Sequence, residues 1–135
     1  MLKYVSVQAA IVAAMVMLVV FMSIGNAHAG SMKVVSGEFT GASDHVTSGN
    51  VSVVEKDGNM MLVLAPDFSL DGAPDPKLGF GISGEYDPKG KVAHLKKKSG
   101  SQEYMIPAGI DVSKYDEIYV WCEKYSVPLG VAKLK

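Results

Sequence analysis

Val51-Ser52-Val53-Val54-Glu55-Lys56-Asp57-Gly58-Asn59-Met60-Met61-Leu62-Val63-Leu64-Ala65 decides the fold class. Two runs rich in β-branched and apolar residues, Val51 to Glu55 and Met60 to Ala65, flank Lys56-Asp57-Gly58-Asn59. Asp-Gly between apolar runs is a strong local signal for a β-hairpin. Turn signals recur on both sides of it, at Ser48-Gly49-Asn50, Asp71-Gly72, Asp87-Pro88-Lys89-Gly90 and Ser99-Gly100. Between them Leu78 to Ser83, Val92 to Lys96, Tyr104 to Ile106, Glu117 to Tyr125 and Leu129 to Leu134 read as strands. Beyond the N-terminal leader, no segment holds a helical period without Gly or Pro. The pattern predicts an all-β domain of about seven to nine short strands, an antiparallel β-sandwich or barrel.

The N-terminus has a different character. Lys3 precedes an apolar stretch from Ala9 to Ile24, and Ala27-His28-Ala29 then supplies the small residues of a signal-peptidase site. The stretch is shorter than the roughly 20 residues of a membrane span. Residues 1–29 therefore read as a secretory signal peptide cleaved after Ala29, and residues 30–135 as the exported β domain. The expected location is extracytoplasmic, periplasmic or secreted, with no membrane insertion after cleavage. About 106 residues remain, enough for one core.

Composition excludes one class of partner. The chain has 13 basic and 14 acidic residues, and loss of Lys3 leaves 12 against 14, a net of −2. All of the basic residues are Lys, so no guanidinium fork exists for phosphate or guanine, and no basic excess drives binding to nucleic acid.

Several motif-like stretches have plainer readings. Gly79-Phe80-Gly81-Ile82-Ser83-Gly84 has dinucleotide-binding spacing, but that chemistry needs a helix N-terminus next, and Glu85-Tyr86-Asp87-Pro88 reads as a turn. Glycines there serve strand bending or close packing. Asp67, Asp71 and Asp75 share one loop without the ligand alternation of a calcium site, so turn formation explains them. Lys96-Lys97-Lys98 reads as a solvated strand end.

Cys122 is the single cysteine of the chain, so no internal disulfide forms. On a strand from Glu117 to Tyr125, period two puts Ile118, Val120 and Cys122 on one face and Tyr119, Trp121 and Glu123 on the other. The first face looks like core, where a thiol is inert; Lys124, two residues on, would activate it if both side chains reach the same strand end. A cupredoxin-like copper site is excluded because neither His nor Met follows Cys122 closely. No metal site is expected. His45 and His94 are the histidines outside the leader. Exposure is the plain reading for His94 and a structural hydrogen bond for His45. One Cys cannot make the covalent haem attachment, which leaves non-covalent haem with Cys122 or His45 as axial ligand. Nothing near either histidine resembles a cysteine-hydrolase signature.

Taken in order, several phrases resemble the DM-thirteen domain family, small extracellular or membrane-associated domains described as electron-transfer modules. They are Gly37-Glu38-Phe39, His45 to Val51, Leu62 to Phe68, Ala73-Pro74-Asp75, Leu95, Gly100 to Pro107, Tyr115 to Cys122 and Val127 to Leu134. The family's Gly-Pro-Asp loop stands here as Gly72-Ala73-Pro74-Asp75-Pro76, with an extra residue and a second proline. The resemblance implies a redox role for the family cysteine, which maps onto Cys122, and a prosthetic group such as haem has been suggested for the family. The expectation is a redox domain with Cys122 as thiol or cofactor ligand, Trp121 packing beside it, and a redox or envelope protein as partner. The alternatives are a non-redox binding or adhesion module, or an envelope scaffold, in which Cys122 only fills core space.

Overall fold

The structure is a computed structural model that describes residues 34–135. The expected signal peptide and its cleavage after Ala29 lie outside the described residues. Ten strands follow in order: β1 (Val35–Gly41), β2 (Thr47–Ser48), β3 (Asn50–Lys56), β4 (Asn59–Leu64), β5 (Ser69–Leu70), β6 (Pro76–Ile82), β7 (Glu85–His94), β8 (Gln102–Met105), β9 (Glu117–Cys122) and β10 (Val127–Lys133). A 3-10 turn, Val112–Lys114, lies between β8 and β9.

The domain is all-β, as the turn spacing predicts. Eight strands make one antiparallel sheet in the order β7-β6-β9-β10-β1-β3-β4-β8, and β2 pairs with β5 apart from it. β1 is shared along its length: Val35 to Glu38 pair with β3 and Phe39 to Gly41 with β10, so the sheet curls there. The two outer strands approach each other through side chains. The backbone of Lys97 exchanges hydrogen bonds with the Gln102 amide at 3.0 and 2.9 Å, and Lys96 N donates to the Tyr104 hydroxyl at 2.9 Å. The lysine run thus bridges the two edges by its backbone, and its residues are exposed, with the Lys96 ammonium 5.4 Å from the Tyr104 ring centroid.

The β3–β4 hairpin forms where Asp-Gly predicts it. Asp57 and Gly58 take φ of 51° and 79°, the left-handed pair that a two-residue turn matching strand twist requires. Alternation then carries Val51, Val53, Leu62 and Leu64 into the core, where they meet Leu78, Phe80, Ile118, Val120 and Leu129.

Three expectations are corrected. Asp87-Pro88-Lys89-Gly90 is not a turn but part of β7, which runs unbroken from Glu85. The reversal is Ser83-Gly84, with φ of 53° and 85°, and β7 accepts Pro88 because it is an edge strand with irregular pairing to β6. The strand beginning at Glu117 stops at Cys122 rather than Tyr125, because Glu123 to Ser126 form the connection to β10. Strands β1, β2 and β5 are additional to those expected: β2 and β5 have two residues each, too few to show alternation, and β1, of seven residues, carries Gly37 where an apolar side chain would mark its inward row.

The glycine run of β6 packs closely, as expected. A Cβ on Gly81 would collide with the Tyr119 ring, and one on Gly79 would lie 2.7 Å from the Tyr86 ring. Those two outward positions are bare so that aromatic side chains of β7 and β9 can lie across the strand.

Candidate functional site

Cys122 is the last residue of β9, facing inward with Ile118 and Val120. Its cross-strand neighbours are Pro76 on β6 and Val127 on β10. The residue is 1% exposed. Its thiol donates to the carbonyl oxygen of Pro74 at 3.2 Å. A thiol is a weak donor, and burial against a backbone carbonyl shields it from reagents in solvent.

Pro74 belongs to the loop between β5 and β6, which is tied down at both ends. At its start, the Asp71 carboxylate accepts from Val46 N at 3.0 Å and pairs with His45 Nδ1 at 2.9 Å. At its end, Asp75 Oδ1 accepts from Lys77 Nζ at 2.6 Å, and Asp75 O accepts from Glu123 N at 3.4 Å. The Lys77 ammonium, whose side chain is 9% exposed, also lies 2.5 Å from His94 Nε2. An ammonium has no lone pair, so that His94 nitrogen acts as acceptor when the bond is made. His94 Nε2 is 3.2 Å from Asp75 as well. The hydrogen bonds to Val46 N and then to His45 hold the Asp71 carboxyl below the usual carboxylate range, and the Lys77 ammonium does the same for Asp75.

Asp67 has a third such task, accepting from Asn50 N at 2.9 Å and Asn50 Nδ2 at 2.6 Å. The Asp67 and Asp71 carboxylates therefore organise backbone, in line with the turn reading, whereas the Asp75 carboxylate is held by side chains, Lys77 and His94. No group of three potential ligands for a metal ion occurs among the described residues.

Trp121 is not beside Cys122. The strand separates them, and Trp121 stacks on Tyr86 on the outer face with ring centroids 4.4 Å apart and planes 10° apart. Tyr119 meets both rings edge-on, and burial in this cluster, then the charge of Glu123, pushes the Tyr86 hydroxyl up to about 12. Lys124 lies in the connection after β9, with its ammonium 5.5 Å from the Tyr125 ring centroid. It is not on the strand end with Cys122.

A protein-family model described as Electron transfer DM13 matches residues 38–134. The chain belongs to the DM13 family. No curated protein and no solved structure gives a significant match. The match takes in both Cys122 and the Gly72–Pro76 loop. In that loop Ala73 packs against the core, and Pro74 presents its carbonyl to the thiol.

The residues do not fit a haem bound through this sulfur. Cys122 Sγ is buried and bonded to Pro74, so it presents no open side to a porphyrin, while His45 is engaged by Asp71 and Trp121 lies across the strand. What the arrangement offers is a protected thiol under a tethered loop. Sequence reasoning missed Pro74, Asp75 and Lys77 as parts of that unit. A signal for Lys77 existed: period two along β6 puts it on the outward face with Gly79 and Gly81, where a buried cation needs a partner.

Proposed function

We propose that this DM13 domain is exported and takes part in extracytoplasmic electron transfer through Cys122, reached when the Gly72–Pro76 loop lifts. The observation that carries the reading is the hydrogen bond from Cys122 to Pro74, which puts the chain's single thiol under a loop held by side-chain tethers rather than under a strand. Family membership supports the electron-transfer class.

The chemistry available to one thiol is exchange with a partner's disulfide. The Cys122 proton leaves, its sulfur bonds to one partner sulfur, and the second partner sulfur departs and takes up a proton as a thiol. Cys122 is oxidised and the partner sulfur reduced, so the balance closes without another reactant. The partner in this reading is a disulfide-bearing redox or envelope protein.

Burial of Cys122 to 1% favours one other reading, a non-redox binding or scaffold module in which the sulfur fills core space. Equilibration of the folded protein with oxidised glutathione, followed by intact mass, separates the two. The redox reading expects a mixed disulfide in the wild type that reductant removes, and none in Cys122→Ser. No adduct below the unfolding transition would leave the structural reading. The intact mass of the exported protein also tests processing: retention of residues 1–29 would overturn cleavage after Ala29.

A further inference from the structure

The sheet, its edges linked by the Lys96 and Lys97 hydrogen bonds, is a nearly closed barrel; β10 runs from Val127, beside Cys122, to Lys133, so its far end marks the opposite mouth of that barrel. Four neighbouring strands, β10-β1-β3-β4, end or begin at that mouth. Their inward rows close on Leu134, Val35, Glu55 and Met60. Three of these four are apolar, and the fourth is a carboxylate at the position that continues the buried pair Val51 and Val53. Glu55 is exposed at the end of β3, so its carboxylate stands at the rim of the mouth above the buried pair. The segment Val112 to Asp116 covers the other side, leaving a cavity of about 350 Å³.

The polar chemistry of this cavity is one-sided. The hydroxyls near it are spent elsewhere, Tyr115 donating to Asp87 at 2.6 Å and Ser113 to Asp111 at 2.5 Å. Asp116 uses Oδ1 for Ser83 N at 3.1 Å, which leaves its second oxygen. Glu55 makes no ion pair among the described residues; its neighbour Lys56 turns to Glu103. No lysine lines the cavity. Apolar walls with two carboxylates and no donor call for a ligand with an apolar body and a cationic head.

We infer that the barrel mouth is a binding site for a small amphiphilic amine. Its apolar part lies against Val53, Met60 and Leu134, and its ammonium between Glu55 and Asp116. The volume is at the lower end for small-molecule pockets, about 300–1,000 Å³, which limits the ligand to a short chain or one ring. Met60, unbranched and polarizable, suits a site that takes more than one shape. This inference is independent of the redox reading.

The test is a titration of the folded protein with hexylamine, hexanoate and hexanol at matched concentrations, followed by amide chemical shifts. Hexylamine is expected to saturate with shifts at Met60, Val112 and Tyr115, and to bind about five- to tenfold more weakly to Glu55→Gln. Glu55 is exposed and outside the core, so this variant folds as the wild type does, and its spectrum checks that. Hexanoate binding as tightly as hexylamine, hexylamine affinity unchanged in Glu55→Gln, or no saturable binding would each overturn the inference.

Discussion

The sulfur of Cys122 lies 3.2 Å from the carbonyl oxygen of Pro74, so the chain's single cysteine and the Gly72–Pro76 loop are one structural unit. The thiol is not isolated in a uniform core; it is capped by backbone whose position depends on Asp71 and Asp75.

The first prediction concerns pH. The Asp75 carboxyl is lowered by Lys77, so the folded state favours its charged form. Its contribution to stability is fully present above the ordinary carboxylate value and is lost as pH falls through the lowered folded value. The melting midpoint of Asp75→Asn should lie below that of the wild type at neutral pH, and the two should converge below about pH 3. Midpoints that stay parallel down to that pH would show that the Asp75–Lys77 bond contributes nothing through its charge.

A second prediction tests the inward face of β9. Val120 is fully buried between Leu78 and Gly130 in the register, so Val120→Ala should cost about 1–3 kcal/mol in denaturant unfolding. Val46, which is 69% exposed, serves as the control, and Val46→Ala should stay within about 0.5 kcal/mol. Equal midpoints for the two variants would contradict the face assignment.

The glycines of β6 give a third. A Cβ at Gly81 meets the Tyr119 ring and the Glu85 carbonyl, and backbone cannot retreat as a side chain can. Gly81→Ala should destabilise by about 1–3 kcal/mol, whereas Gly109→Ala, whose Cβ meets nothing within 4 Å, should be close to neutral. A Gly81→Ala midpoint equal to that of Gly109→Ala would mean that the aromatic cluster does not lie across β6.

How much of this was legible follows the range of the interactions. The β3–β4 hairpin was readable because Asp57-Gly58 and the alternation beside it are local. The inward row Ile118, Val120, Cys122 was readable because period two needs only the strand itself. Asp87-Pro88-Lys89-Gly90 was misread because its local turn chemistry is outweighed by pairing of β7 with β6, and the edge position of β7 removes the cost of Pro88. The site was legible only as parts. Cys122 and Pro74 stand 48 residues apart, and Lys77 and His94 stand 17 apart, so neither pairing has a sequence period. Resemblance to the DM-thirteen family marked the cysteine and the loop separately; only the fold joins them. Trp121 was placed beside Cys122 by adjacency in sequence, although alternation itself sends the two to opposite faces.

The rate at which folded protein reacts with dithiodipyridine at neutral pH, measured beside its global unfolding rate, separates a working Cys122 from a structural one. If Cys122 is a guarded working thiol, the folded protein reacts faster than it unfolds, by local opening of the Gly72–Pro76 loop, and Asp75→Asn reacts faster still. If Cys122 reacts only at the rate of global unfolding, and Asp75→Asn changes that rate no more than it changes unfolding, the thiol is structural and the redox reading of this site is wrong.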